Sequence, residues 1–515
     1  MEAFSELGFE TVQILAVVLI VAIAVRRVRL PYTVALVCAG LVLTFRGGMN
    51  LELTPGLVLV IFVPPLIFEA AFHLQLKDLR ADLAPIVAMA VPGVILSAGI
   101  IAAVLVVAGV LPLPAALIFG ALISSTDTVA VVATFRSVGA PKRLMTLVEG
   151  ESLFNDGTAV ILFHIVLALG LEGTLNPVQG VIDFLRVSGG GLLVGGLFGY
   201  AVAKLIEQID DYLIEVTLTT ILAYGSYILA DQLQFSGVLA VAAAGLVNGN
   251  IGPRSMTPST KIVLFTVWEY IAFLANSFLF ILLGISVEWD QLRTYFVPSL
   301  IAVAAVLVGR FLVVYILAGV VRLFEQKVPP SFLLVMSWGG LRGAISVALA
   351  LSLPSAIGDR PQLLAMTFAV VLFTILVQAV SISGLLSWLG LTQDSQQAND
   401  YERIQSQLLA IRSASTYLER LYAEGALIPI AYATVKAELA AREEYVSSQI
   451  EELLEEHPEL QAQIISLARL EVMRAERSAL DAFSREGILN EETLIELQAE
   501  LDEAIFQDSF GDRRS

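Results

Sequence analysis

Between residues 11 and 390 the chain alternates long apolar runs with short polar connections. Thirteen runs can be drawn, at roughly 11–25, 30–45, 55–73, 84–110, 114–135, 144–170, 188–206, 213–231, 236–250, 260–287, 296–323, 331–354 and 363–390. Crossing a bilayer takes about 20 mostly apolar residues in a helix. An open backbone finds no water there, so runs of this kind predict an all-α polytopic membrane protein with about thirteen transmembrane helices. Composition agrees: 57% of the residues are hydrophobic and 15% charged, against about 25% charged in an average soluble domain. A disordered chain, a collagen and a coiled-coil rod are excluded on the same grounds.

Charge divides the chain in two. Residues 391–515 carry 25 acidic and 11 basic side chains, most of the total net charge of −18. The reading is a transmembrane domain over 1–390 and an acidic, mainly helical tail over 391–515. Residues 391–400, LTQDSQQAND, read as a polar linker. Apolar residues then recur at helical spacing, with breaks expected at Pro429, Pro458 and Gly487. The five glutamates around His457 read as a solvated helical face. So acidic a chain is a poor nucleic-acid binder, since phosphate needs clustered Lys and Arg. The single cysteine, Cys38, supports neither a disulfide nor a thiolate metal site.

Orientation follows from loop Lys and Arg. One alternate set of loops carries 13 of them: Arg26, Arg27, Arg29, Lys77, Arg80, Arg136, Lys142, Arg143, Lys204, Arg254, Lys261, Arg322 and Lys327. The other set carries Arg46, Arg186, Arg293 and Arg360. The first set is therefore expected in the cytoplasm with the tail, and the N-terminus outside, in a multi-pass cell membrane protein. The N-terminal MEAFSELGFE is acidic and lacks the basic region of a signal peptide, so no cleavable signal is expected.

Charged residues inside apolar spans are costly and point to function. Glu69 follows Pro64 and Pro65, which are expected to break their helix. Asp127 lies among Ser124, Ser125, Thr126 and Thr128, whose hydroxyls can satisfy an unwound backbone. In VEGESLFNDGTAVILF, Glu149, Glu151, Ser152, Asn155 and Asp156 fall within eight residues. Glu151 with Asn155, and Ser152 with Asp156, are helical i, i+4 neighbours. Such hard oxygen ligands suit Na⁺ or Li⁺. A buried carboxyl resists ionising alone, so it suits exchange of a proton for a cation.

In SWGGLRGAISVALALSLP, Gly339, Gly340 and Gly343 flank Arg342, a cation suited to the C-terminal end of a half-helix. Two broken helices in two halves of a chain are the pointer to a secondary transporter with inverted repeats. Arg310 lies within the eleventh run and needs a buried acid: Glu151 first, Glu69 or Glu269 otherwise. Glu269 and Asn276 share one face of the tenth run. His73, His164 and His457 are too scattered for a zinc site.

The motifs FEAAFHL, STDTVAVVATF, VEGESLFNDGTAVILF and WGGLRGAISVALAL, in this order over residues 10–390, resemble sodium/proton antiporters of the NhaP and NHE type. The resemblance implies thirteen helices with two crossed discontinuous ones, a dimerisation part and an ion-carrying core. It implies Asp156 as cation and proton carrier. Asn155 stands where electrogenic relatives have a second Asp, and Thr126 and Asp127 at the first crossover. The resemblance likewise implies Ser152 as an oxygen ligand of the cation, with Asp156, Ser152 and Thr126 as the Na⁺ set. By the same resemblance Glu151 would match the acid that pairs with a membrane Arg, for which Arg310 fits best, Arg342 would match the Arg of the second broken helix, and Glu69 would match an acid near the site. Thr128 departs from the family, which often has Pro there, so the unwinding is expected to rest on hydroxyls.

The expected function is exchange of Na⁺, or Li⁺ or K⁺, for H⁺ by alternating access, electroneutrally because Asn155 is neutral, for Na⁺ and pH homeostasis. No cofactor beyond the transported ions is expected. The expected partners are the lipid bilayer and a second copy in a homodimer. Rival readings are a cation channel, for which no filter-like loop is seen, and a sensor signalling through its tail. An intramembrane aspartyl protease using Asp127 and Asp156 lacks its Gly-x-Gly-Asp pattern. The segment SREGILNEETLIELQAELDEA resembles soluble tails of bacterial relatives.

Overall fold

The computed structural model describes residues 2–25, 31–45, 54–172, 177–209, 211–252, 258–322, 327–355, 357, 359–392 and 395–458, with scattered positions from 461 to 497. Every regular element among them is helical. In order they are α1 (Glu2–Val25), α2 (Tyr32–Phe45), a π-helical turn (Leu57–Phe62) leading into α3 (Val63–His73), and α4 (Leu76–Ala81). Next come α5 (Leu83–Ala90), α6 (Pro92–Val107), α7 (Leu113–Ile123), α8 (Val129–Val138), α9 (Lys142–Glu172) and α10 (Pro177–Ile206). They are followed by α11 (Tyr212–Gln232), α12 (Gly237–Ile251), α13 (Pro258–Ile285), α14 (Trp289–Thr294) and α15 (Phe296–Val321). Then come α16 (Pro330–Trp338), α17 (Ala344–Leu351), α18 (Arg360–Phe373), a second π-turn (Thr374–Gln378) and α19 (Ala379–Trp388). The last two are α20 (Ser395–Ala423) and α21 (Pro429–Glu456).

Seven helical stretches among the described residues are long and apolar enough to cross a membrane: Leu83–Val107, Lys142–Ala168, Val178–Ile206, Tyr212–Gln232, Val263–Ile285, Phe296–Val321 and Arg360–Trp388. Shorter apolar helices fill the other runs, including the pairs α7/α8 and α16/α17, which are interrupted at 124–128 and 339–343. Many large apolar side chains face outward, among them Leu193, Leu197 and Phe296. That outer surface suits lipid as the solvent.

Two sub-bundles are packed together. In one, α13 lies on α2 and α3, and α12 lies on α3 and α10. Along α10, a Cβ added to Gly195 would run into the carbonyl of Ala240 on α12, so only Gly allows that backbone approach. In the other, α9 packs on α5 and α7, and α15 on α6 and α18. Arg143 holds Asp82 through three hydrogen bonds of 2.7–3.1 Å and reaches the carbonyl of Lys327 at 3.3 Å. Three of the basic loops therefore meet at one end of the bundle. Arg26, Arg27, Arg29, Arg46 and Arg254 lie outside the described residues.

Two local expectations are corrected. Pro64 and Pro65 do not break their helix. They occupy the first turn of α3, where a missing N–H costs nothing, and the preceding π-turn takes up the register. One carbonyl of that turn, Ile61, accepts a hydrogen bond from the Tyr224 hydroxyl at 3.1 Å. The linker at 391–400 is likewise shorter than expected, because α20 begins at Ser395. SQQAND contains neither Gly nor Pro, so nothing in it stops a helix.

Residues 393–515 form a second compact unit. There α20 and α21 pack as a helical hairpin around Ile404, Ile411 and Val446. Arg412 bonds Glu443 at 2.9 Å across it, and Pro429 opens α21. Gly487 lies outside the described residues.

Candidate functional site

The site forms where α9 passes the two interrupted helix pairs. The break at 124–128 has lost helical partners and finds replacements on α9. Thr126 supplies most of the contact. Its carbonyl accepts from Ser152 Oγ at 2.7 Å, its hydroxyl from Asn155 Nδ2 at 2.5 Å, and its N–H donates to Asn155 Oδ1 at 3.4 Å. Thr126 and Asn155 are each 1% exposed. Ser124 Oγ donates to the carbonyl of Gly120 at 2.5 Å. Hydroxyl and amide groups thus do the work that a proline at position 128 would share, as buried backbone polar groups require.

The two breaks touch. Asp127 N–H donates to the carbonyl of Leu341 at 2.9 Å, across 214 positions of sequence. A Cβ on Gly343 would run into the Asp127 carboxylate, so a glycine there is a condition of the crossing. Asp127 Oδ1 accepts from Val129 N–H at 3.0 Å, placing a carboxylate at the N-terminus of α8. At the other break Arg342, 1% exposed, donates from Nη1 to the carbonyl of Gly340 at 2.9 Å. Acid at a helix start and base beyond a helix end each oppose the local dipole. Arg342 N–H is held by Thr374 Oγ1 at 3.1 Å.

Arg310 and Glu151 form a buried, two-pronged ion pair: Nη1 bonds Oε1, and Nη2 bonds Oε2 at 2.9 Å. They are 8% and 2% exposed. Nε and Nη2 of Arg310 also donate to the carbonyl of Met336 at 3.2 and 2.9 Å. One guanidinium therefore ties α9 to the end of α16 with its charge matched.

A cavity of about 100 Å³, room for several waters, opens beside this crossing, and Asp156, Asp127, Ser125, Thr128, Ser152 and Glu149 supply polar groups to it. Ser125 Oγ donates to Asp156 Oδ1 at 2.6 Å. The lining follows α9 from Asp156 back to Glu149, seven residues or about 10 Å toward the basic-loop end. Glu149 is paired there with Arg136 at 3.1 Å. The opposite wall, from α3 and α13, is apolar apart from Asn276.

The candidate residues thus fall into three places. Asp156, Asp127 and Ser152 face the cavity; Thr126 and Asn155 stand behind it and hold the break; Glu151, Arg310 and Arg342 brace the helix ends. Glu69 is outside the lining. It contacts His73 (Oε1 to Nδ1, 3.3 Å) toward the basic-loop end. The rings of His73 and His164 each engage the carbonyl four residues earlier, at 2.9 and 2.8 Å. Ser125 was legible only as part of a polar cluster, and its bond to Asp156 spans two helices.

The sequence profile described as "Sodium/hydrogen exchanger, transmembrane" matches residues 14–388. The chain is 38% identical over 405 residues to the Na⁺/H⁺ antiporter ApNhaP of Aphanothece halophytica, covering 78% of this chain and 76% of the relative. It is 36% identical over 440 residues to the low-affinity Na⁺/H⁺ antiporter NhaS1 of Synechocystis, covering 84% of each. Its fold is similar to that of the sodium proton antiporter MjNhaP1 of Methanocaldococcus jannaschii, with a TM-score of 0.63 at 22% identity, covering 76% of this chain and 100% of that one.

Proposed function

Because this chain belongs to the sodium/hydrogen exchanger family and is a secondary Na⁺/H⁺ antiporter rather than an enzyme or a channel, we propose that its exchange runs through Asp156, which holds either a proton or a dehydrated cation. The observation that carries this reading is the cavity, which places that carboxylate beside Ser125, Ser152 and Asp127 at the crossing of two broken helices. Ser125 Oγ already bonds that carboxylate and Ser152 lines the same cavity, so these hydroxyls, with the main-chain oxygen of Thr126 that Ser152 meets, are the further oxygen ligands proposed for Na⁺. A site unwound from the helix suits this, since free backbone and hydroxyl oxygens replace a hydration shell.

The chain is an integral membrane protein. With the basic loops in the cytoplasm, as their excess of Lys and Arg requires, the tail is cytoplasmic and the N-terminus outside after thirteen crossings. The cavity then opens inward. In alternating access, α7–α9 and α15–α18 shift against the bundle holding α3 and α13, and the site is exposed on the other side. A homodimer in the cell membrane, serving Na⁺ and pH homeostasis, completes the reading.

Stoichiometry follows from the carboxylates. Asp127 is committed to the N-terminus of α8, and Asn155 is neutral. One proton therefore exchanges for one monovalent cation, with no net charge moved. The test is proton movement in everted vesicles driven by Na⁺, Li⁺ or K⁺ at clamped membrane potentials. Rates independent of voltage are expected; a current that follows Na⁺ would contradict the one-for-one exchange.

A further inference from the structure

Among the described residues, the α3 and α13 side of the cavity carries one polar side chain. Leu66 and Ile67 of α3, with Leu279 and Phe280 of α13, make that wall apolar, and Asn276 interrupts it in the second half of α13. The neighbouring Ser277 turns away from the cavity: its hydroxyl meets the Tyr32 hydroxyl at 2.9 Å and donates to the carbonyl of Phe273 at 2.6 Å. Asn276 has neither kind of partner. Within the described residues it makes no hydrogen bond or ion pair. Other amides in the helices differ, and Gln378, whose Oε1 has no partner, is sealed from solvent. Asn155 is bound to Thr126, Asn250 to the main chain of Leu74 and Leu76, and Asn248, also unpartnered, is sealed from solvent. An amide inside a bilayer that faces open space needs whatever occupies that space.

We propose that Asn276 is a cation-coordinating residue on the wall opposite Asp156. Its amide oxygen replaces one water of the cation's shell as the ion passes to or from the carboxylate. Its contact sets affinity and the preference among monovalent cations. An amide oxygen is a hard, neutral ligand, suited to Na⁺ and Li⁺ without adding a charge to the exchange. Because Asn276 belongs to α13 and Asp156 to α9, the contact joins the two sub-bundles only while the cation is present. This rests on the reading of the cavity as the transport site.

The test uses the full-length protein in proteoliposomes, with Na⁺- and Li⁺-driven proton movement for wild type, Asn276→Leu, Asn276→Gln, Asn276→Asp and Asp156→Asn, and thermal unfolding of each. Leu keeps the branching and the number of side-chain heavy atoms of Asn, is somewhat bulkier, and removes the polar end; Asn276→Gln and Asn276→Asp separate the loss of polarity from the added bulk. Loss of one such contact is expected to raise the apparent KM for Na⁺ about fivefold, with the maximal rate within about twofold of wild type. The Na⁺ to Li⁺ ratio of KM is expected to change, and Asn276→Asp to lower KM below that of the Leu variant. If Asn276→Leu fails to fold, Gln and Asp carry the test through the same KM shift and changed ratio. KM values for both cations unchanged in all folded variants would overturn the proposal. So would equal loss of maximal rate in all three variants at constant KM, the mark of a packing role. Exchange surviving in Asp156→Asn would instead remove the site reading itself. A dead Asp156→Asn beside an unchanged Asn276→Leu would remove only the role of Asn276.

Discussion

Asp156→Asn is expected to reduce Na⁺-driven proton movement to that of vesicles without the protein, a loss of at least about a hundredfold. The substitution is nearly isosteric. Ser125 Oγ can still donate to the side-chain oxygen it meets at 2.6 Å, so the break at 124–128 keeps its support. What disappears is the exchangeable charge. A neutral amide neither binds a proton at physiological pH nor compensates a dehydrated cation in a dry site. The folded protein should therefore be recovered at normal yield and unfold near the wild-type temperature. Normal exchange would move the carrier elsewhere, with Asp127 and Glu149 the remaining cavity carboxylates.

The second large effect concerns stability. Arg310→Met alone leaves Glu151 as a buried carboxylate without its cation, and Glu151→Leu alone strands the guanidinium. Breaking one partner of a buried pair costs about 3–5 kcal/mol, enough to abolish the folded state of many proteins. The double replacement, Glu151→Leu with Arg310→Met, removes both charges and is expected to recover most of that loss, since apolar residues of similar volume often replace buried pairs well. Neither residue lines the cavity, so the double variant should retain saturable, slower exchange. Thermal unfolding of the two single variants and the double one in detergent decides this. A double variant no more stable than the singles would assign the main role to the bonds between Arg310 and the carbonyl of Met336.

Much of the helical framework was legible because lipid imposes a simple rule: a long apolar run must be a helix. The two interruptions were legible for the complementary reason. Hydroxyls and a carboxylate at 124–128, and three glycines around Arg342, have no place in an uninterrupted apolar helix. The crossing itself was not legible from local pattern. The bond from Asp127 to Leu341, and the fit of Gly343 against Asp127, join segments that share no local signal. The prolines at 64 and 65 misled because their effect depends on position within a turn, and the π-turn before them has no composition of its own. Glu69 followed a proline pair and carried a charge in an apolar run; it lies beside His73 and within electrostatic reach of Glu149 and Arg136, at the basic-loop end of the cavity rather than in its lining. Asn276 was visible only as sharing a helical face with Glu269. Its significance comes from what lies across the cavity, which no spacing rule reports.

In the proposed exchange, proton and cation compete for one carboxylate. The most direct measurement is the apparent KM for Na⁺ as a function of pH on the side to which the cavity opens, in proteoliposomes containing the full-length chain. Competition at Asp156 requires KM to rise toward about tenfold per pH unit as the solution is acidified, at constant maximal rate. A KM for Na⁺ that stays flat across pH while the maximal rate changes would mean that the proton binds at another group, and would contradict a shared site.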